Sequence, residues 1–262
     1  MSRFSAIDNF WIKLATAKSS VLLLDYDGTL APFCVERDQA FPYSGIRELL
    51  EQIRAATDTR LVIVSGRAID DLLPLLAIDP PPEIWGCHGW ERLGPDGSKF
   101  PVELPPQARR GLDLAAPWLE AEGLTSRMEV KPASLALHWR GLDPLERQRL
   151  SSKVADGWRP FAAEYGLELH PFDGGMELRC PGRDKGSVVT RILDEAGPGG
   201  TVAFLGDDLT DEDGFKAIAG RGLGVLVRHE YRATEATGHL VPPQELIDFL
   251  QKWLELTQKA VD

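Results

Sequence analysis

Asp25 and Asp27 stand two residues apart where the aliphatic run Val21 to Leu24 ends, in the stretch "VLLLDYDGTL". Side chains of an extended chain alternate, so the two carboxylates leave one side of the backbone while Tyr26 leaves the other. One carboxylate can then attack phosphorus while its neighbour manages a proton, a division of labour that suits phosphoryl transfer. Carboxylates are also the hard oxygen donors that Mg²⁺ prefers. By themselves the two residues read equally well as a turn, because aspartate after a strand is a common cap or turn residue.

Three other segments supply what that chemistry still needs. Ser65, Gly66 and Arg67 follow the run "RLVIV"; "GRDKGSVV" sets Lys185 at a helix start; "TVAFLGDDLTDED" delivers Asp207, Asp208 and Asp211. Phosphoryl transfer requires a nucleophile, a divalent cation against the crowded negative charge, and donors for the phosphoryl oxygens. The assignment is therefore Asp25 as nucleophile, Asp27 as acid and base, and Ser65 with Lys185 on the phosphoryl group. Asp25 and Asp207 would bind Mg²⁺ by their side chains and Asp27 by its backbone carbonyl, with Asp208 and Asp211 supporting the ion or Lys185. Gly28 lets the chain turn tightly beside the anion. A calcium loop is excluded: with Gly214 as its sixth residue, Leu209 and Gly220 fall where carboxylates are required. No phosphate-binding P-loop is present either, since "DKGS" has the order reversed.

These residues must be positioned by strand ends. Residues 21–25, 60–66, 84–89, 201–208 and 222–227 are short, nearly continuous apolar runs, as parallel strands covered on both faces require. Ligands of such sheets sit beyond the carboxyl ends of the strands, which is where the acids fall. Between the runs lie helical patterns, such as Ile46, Leu49, Leu50 and Ile53 behind a candidate cap at Ser44. The middle differs. A helix over about 105–122 precedes a hairpin in "SRMEVKPASLALHWRG"; a helix over 144–165 precedes a second strand pair, "LELHPFDGGMELRCP", turning at Asp173 to Gly175. The expected fold is α/β: a doubly wound, Rossmann-like parallel-sheet core (1–103 and 184–262) with an inserted α+β domain (104–183).

Composition narrows the function classes. The 262 residues are 43% hydrophobic and carry a formal charge of −11, which argues against a nucleic-acid surface. The three cysteines are far apart with no CxxC pair, which fits a reducing compartment. Neither a signal peptide nor a run of roughly 20 apolar residues is visible. The expectation is a cytoplasmic monomer acting on a small molecule, with no membrane or nucleic-acid partner.

Taken together, "DYDGTL", "VSGR", Lys185 in "GRDKG" and "GDDLTDED" resemble the haloacid dehalogenase superfamily of Mg²⁺-dependent aspartyl phosphatases. Within it, "DYDGTLAP", "GCHGWE", "EVKPASLALHWR", "MELRCPGRDKG" and "GDDLTDEDGF" are similar, in order, to signatures of the trehalose-6-phosphate phosphatase family. The resemblance implies the roles assigned above, a cap made by the inserted domain, and contacts to the disaccharide from Lys131, His138, Arg140 and Glu177. Other sugar phosphates, such as sucrose 6-phosphate or a mannosylglycerate precursor, remain alternatives, as does a non-catalytic sugar-phosphate sensor. Alternation along the cap hairpin puts His138 and Arg140 on one face and Trp139 on the other, packing the cap. Arg67 and His88 are candidate substrate contacts; from residues alone, His88 lines the cleft or fixes a loop, and Arg67, like Glu91, binds ligand or a salt-bridge partner.

Overall fold

The computed structural model describes residues 3–100, 102–172 and 174–258. The chain divides into two compact units, Met1–Phe100 with Asp184–Asp262, and Pro101–Arg183. In chain order the first unit opens with α1 (Arg3–Leu14), β1 (Ser19–Leu24), α2 (Ile46–Ala56), β2 (Arg60–Val64), α3 (Ile69–Leu76), β3 (Glu83–Gly86), β4 (Glu91–Leu93) and β5 (Lys99–Phe100). The second unit holds α4 (Pro106–Ala121), β6 (Met128–Lys131), β7 (Ser134–His138), α5 (Pro144–Tyr165), β8 (Glu168–Phe172) and β9 (Gly175–Arg179). The first unit resumes with α6 (Lys185–Ala196), β10 (Gly200–Gly206), α7 (Glu212–Ile218), β11 (Leu223–Val227), β12 (Gly238–Leu240) and α8 (Gln244–Thr257).

The large sheet runs β12-β11-β10-β1-β2-β3-β4-β5, parallel through β3 and antiparallel beyond it. Central β1 shows why its apolar run is continuous. Leu22 and Leu24 pack with residues of α1, α2, α3 and α8 on one face, and Val21 and Leu23 with residues of α6 and α7 on the other. Each face therefore buries its own set of alternate side chains. Ile46, Leu49, Leu50 and Ile53 are all buried, as their spacing predicts. Their helix starts differently: Gly45, left-handed at φ +87°, precedes Ile46, and it is the backbone, not the Ser44 side chain, that makes the entry.

The run 84–89 does not stay extended. β3 stops at Gly86, and Cys87, His88 and Gly89 form a tight turn with φ of +49°, +55° and +101°. That reversal sends β4 back antiparallel to β3. Among the described residues no helix is long and apolar enough to cross a membrane.

The second unit is a four-stranded antiparallel sheet, β6-β7-β9-β8, against which α4 and α5 pack. α5 begins at a capped end, where Asp143 Oδ1 accepts from the backbone N–H groups of Leu145 and Glu146. Trp139 and Trp158 are buried and so belong to the packing of this unit. The β8–β9 turn expected at Asp173 to Gly175 begins at Asp173, which lies outside the described residues; Gly175 opens β9.

Candidate active site

Asp25 follows β1 directly, and its backbone N–H donates to Leu205 O of the neighbouring strand (2.9 Å), so it leaves the sheet while still anchored. Its carboxylate is 3% exposed as a residue and engaged at both oxygens: Lys185 Nζ donates to Oδ1 (2.6 Å) and Thr29 Oγ1 to Oδ2 (3.1 Å). Lys185 opens α6, where Asp184 and Ser187 form a reciprocal capping box that holds the first turn. The same ammonium donates to Asp211 Oδ1 (2.7 Å), while Asp211 Oδ2 accepts the N–H groups of Asp207 (3.1 Å) and Asp208 (3.0 Å). Asp211 therefore ties the lysine to the turn after β10.

Asp25, Asp207 and Asp211 each offer an oxygen, and these lie within 4.8 Å of one another in a fully buried cluster. Burial pushes the Asp25 carboxyl up to about 7; Lys185 opposes this, while Asp211 and Asp27 add to it. Burial, then the charges of Asp25, Asp211 and Asp208, push Asp207 well above the usual carboxylate range. Burial works against the Lys185 ammonium, but Asp211 and Asp25 outweigh it and raise its pKa.

Asp207 Oδ1 is buried without a hydrogen-bond partner. Ionised together, three carboxylates against one ammonium would leave an excess of negative charge in a desolvated site, which is relieved either by retained protons, the direction in which Asp25 and Asp207 are pushed, or by a bound cation. An oxygen-only donor set with an open carboxylate oxygen fits Mg²⁺. Gly28 leaves the space: at φ +84°, a Cβ there would lie 2.0 Å from Asp207 Oδ2.

The structure separates the two acids left open by the sequence. Asp211 joins the buried cluster; Asp208 Oδ1 instead accepts the Leu209 N–H (2.6 Å) and caps the turn. Asp27 is held elsewhere. Arg67 Nε and Nη2 donate to its two oxygens at 2.6 Å each, in the paired geometry that a planar guanidinium favours. Arg67 is thus found on Asp27. Ser65 Oγ accepts the Arg67 N–H (3.1 Å), and Ser65 O accepts the His88 N–H (3.0 Å). A Cβ on Gly66 would lie 2.7 Å from the buried His88 ring, which packs on this turn. Glu91 accepts the Ile69 N–H (2.8 Å), joining the β4 start to α3.

In the second unit, pairing register places Glu129 opposite Ala136, Lys131 opposite Ser134 and Ala136 opposite Glu177 on one sheet face. Lys131 Nζ and Ser134 Oγ both donate to Glu177 Oε1, at 2.9 and 2.7 Å, and His138 Nε2 lies 2.8 Å from Glu129 Oε2. Lys131 Nζ also lies 3.8 Å from Glu129 Oε2, so Lys131, His138 and Glu177 share one polar network. Arg140 lies two residues beyond β7, where Arg127 donates to its carbonyl (3.4 Å). Sequence reasoning missed Glu129 and Ser134; strand alternation with Lys131 and His138 was the signal that would have found them.

The fold, with the acidic cluster beyond β1 and β10, is the one found in haloacid dehalogenase-like hydrolases. The architecture is shared with a haloacid dehalogenase-like hydrolase from B. subtilis (TM-score 0.61, 15% identity, 88% of this chain and 98% of that one). It is also shared with the C-terminal domain of C. albicans trehalose-6-phosphate phosphatase (TM-score 0.81, 21% identity, 95% and 96% covered). At these identities the likeness is one of fold. Residues 23–242 match the Trehalose-phosphatase family, and the chain belongs to that family of phosphoric monoester hydrolases. It is 30% identical over 241 residues to trehalose-6-phosphate phosphatase of Escherichia coli (strain K12), covering 90% of this chain and 86% of the relative. It is also 30% identical over 251 residues to trehalose-phosphate phosphatase of Mycobacterium ulcerans, covering 89% of this chain but 61% of that longer relative.

Proposed function

We propose that this chain hydrolyses trehalose 6-phosphate to trehalose and inorganic phosphate through a phosphorylated Asp25. The observation that carries the reading is the buried Asp25 carboxylate, held between Lys185 and Thr29 beside Asp207 and Asp211. Asp25 attacks phosphorus as the sugar oxygen leaves, and Asp27, protonated on an oxygen that has turned away from Arg67, donates that proton to the leaving oxygen. Asp27, now ionised, removes a proton from water, which attacks phosphorus and releases Asp25 and phosphate.

Lys185 offsets charge on the phosphoryl oxygens. The Ser65 oxygen accepts from Arg67 N–H, which leaves the hydroxyl proton for a phosphoryl oxygen. Asp25 and Asp207 would hold Mg²⁺ with the Asp27 carbonyl, while Asp211 orients Lys185. When bound, the ion supplies positive charge against the phosphoryl oxygens.

We assign sugar recognition to the second unit, a cap domain in this reading, through Lys131, His138, Glu177 and Glu129, since charged groups on one rigid sheet face can chelate neighbouring hydroxyls. Arg140 and His88 remain candidate substrate contacts. All of the phosphoryl-site groups come from one chain, which suits a monomer, and the thiols of Cys34, Cys87 and Cys180, none in a disulfide among the described residues, suit a reducing, cytoplasmic setting.

The test is a panel of sugar phosphates assayed for phosphate release with Mg²⁺ and with EDTA. Trehalose 6-phosphate should lead by about tenfold or more in kcat/KM, about 1.4 kcal/mol of transition-state binding. A stronger preference for sucrose 6-phosphate or another sugar phosphate overturns the substrate. A thermal shift with trehalose 6-phosphate but no Mg²⁺-dependent hydrolysis identifies a sensor instead.

A further inference from the structure

Asp207 carries the open carboxylate oxygen of the cluster, yet its turn is fastened from a distant part of the chain. The connection between β11 and β12 reaches back with Arg232, whose guanidinium donates to Asp208 O (2.7 Å) and to Asp207 O from both Nε (3.4 Å) and Nη2 (3.3 Å). Its Nη1 pairs with Glu212 Oε1 and donates to Ala233 O (3.0 Å). Glu212 Oε2 in turn accepts the Glu235 N–H (2.8 Å), closing the strap on the same connection. Arg228 Nη1 adds a donor to Asp207 O at 3.4 Å and approaches Asp207 Oδ2 to 3.9 Å.

Two successive carbonyls, Asp207 and Asp208, are thus held by one planar side chain. A carbonyl direction fixes its peptide plane, and the peptide planes around Asp207 fix where its Cβ, and hence its carboxylate, is aimed. Asp211 holds the same residues from the opposite polarity, accepting both of their N–H groups. The turn is therefore gripped by an acceptor on one side and a donor on the other.

We propose that Arg232 is a positioning residue for the divalent cation: it sets the Asp207 backbone so that the open carboxylate oxygen is presented in the Asp25–Asp207–Asp211 cluster. The inference rests on the cation reading of that cluster and not on the identity of the sugar. Four acceptors, Asp207 O, Asp208 O, Glu212 Oε1 and Ala233 O, are served by the three nitrogens of one guanidinium; a single ammonium at the end of a flexible stem does not reproduce that span. Groups that orient a metal ligand typically change metal affinity about 10- to 100-fold when replaced.

The experiment is a Mn²⁺ titration of metal-free protein without substrate, read by the loss of the free-ion electron paramagnetic resonance signal. Wild type should bind Mn²⁺, and Asp207→Asn should abolish that binding. Arg232→Lys and Arg232→Met should weaken it by about tenfold or more. Meanwhile the metal-free Lys variant should melt within about 2 °C of wild type, and kcat should recover at saturating metal. A purely structural strap would lower the melting temperature and leave Mn²⁺ affinity alone.

Equal Mn²⁺ affinity in wild type and Arg232→Lys overturns the proposal, and that variant carries the test if Arg232→Met does not fold. Weakened binding in the Arg232 variants, with no turnover of trehalose 6-phosphate by wild type, would overturn the substrate reading and leave this one standing. Absence of Mn²⁺ binding by wild type would overturn the cation reading and this inference together.

Discussion

Arg67 grips both carboxylate oxygens of Asp27, with Nε on Oδ2 and Nη2 on Oδ1, each at 2.6 Å. The pair joins the turn after β2 to the turn after β1, so the acid/base candidate is oriented by a residue 40 positions away in the chain. Arg67 itself is 5% exposed and its guanidinium lies 5.8 Å from the Tyr26 ring centroid, which limits its freedom to move.

Asp27→Asn should lower kcat by about 10²- to 10⁴-fold, the range for a positioned acid/base group. Arg67→Lys should lower kcat by roughly tenfold or more, because one ammonium cannot replace a paired guanidinium contact. Steady-state kinetics decide the role of Arg67. An increase in KM with kcat unchanged would return it to substrate binding.

Asp25→Asn should fold and release no phosphate in steady state. It removes one of three crowded carboxylates, so the metal-free variant should melt no lower than wild type; Lys185 keeps Asp211 as its partner. Multiple turnovers by this variant would refute the nucleophile assignment.

The buried carboxylates make metal binding and pH act together on stability. With its carboxyl raised to about 7, Asp25 keeps its proton in the folded state across a window, from roughly pH 4 to 7, where the unfolded chain has lost it. The metal-free fold therefore loses this contribution as pH rises through that window. Mg²⁺ should raise the melting temperature more at about pH 8 than at about pH 5.5, because protons compete with it at the lower pH. An equal shift at both pH values would place the ion away from Asp25 and Asp207.

Gly28→Ala should damage the site beyond its cost to the fold. The new methyl group would overlap Asp207 Oδ2, and φ of +84° disfavours any side chain, at about 1–3 kcal/mol. Thermal melts should show that loss, and the Mg²⁺ concentration for half-maximal activity should rise about tenfold or more. Unchanged Mg²⁺ dependence would show that Asp207 does not bind the ion.

Glu177→Gln separates recognition from chemistry. It removes the charge that Lys131 and Ser134 share, so kcat/KM for trehalose 6-phosphate should fall about tenfold or more. Hydrolysis of p-nitrophenyl phosphate, which has no sugar, should remain within about twofold. Parallel loss on both substrates would assign Glu177 a structural role.

The placement of the acids was legible in the sequence because a strand buried on both faces must be a continuous apolar run. Asp25 and Asp207 interrupt such runs at the carboxyl ends of adjacent strands β1 and β10. β4 and β5 were not legible: three and two residues are too few to display a period, and they extend the sheet because the chain reverses at Cys87 to Gly89. Spacing alone also could not divide Asp208 from Asp211. The turn does that, using one to cap its own backbone and aiming the other at Lys185.

The sequence by itself determined the class of chemistry and the parallel core, since both depend on local pattern: apolar runs, the acids at their carboxyl ends, and the lysine at a helix start. Tertiary structure alone decided the pairings Arg67 with Asp27, Arg232 with Asp207 and Asp208, and Glu177 with Lys131. Each joins residues more than 20 positions apart, and such partners are selected by how sheets and turns pack in space, which no local periodicity encodes.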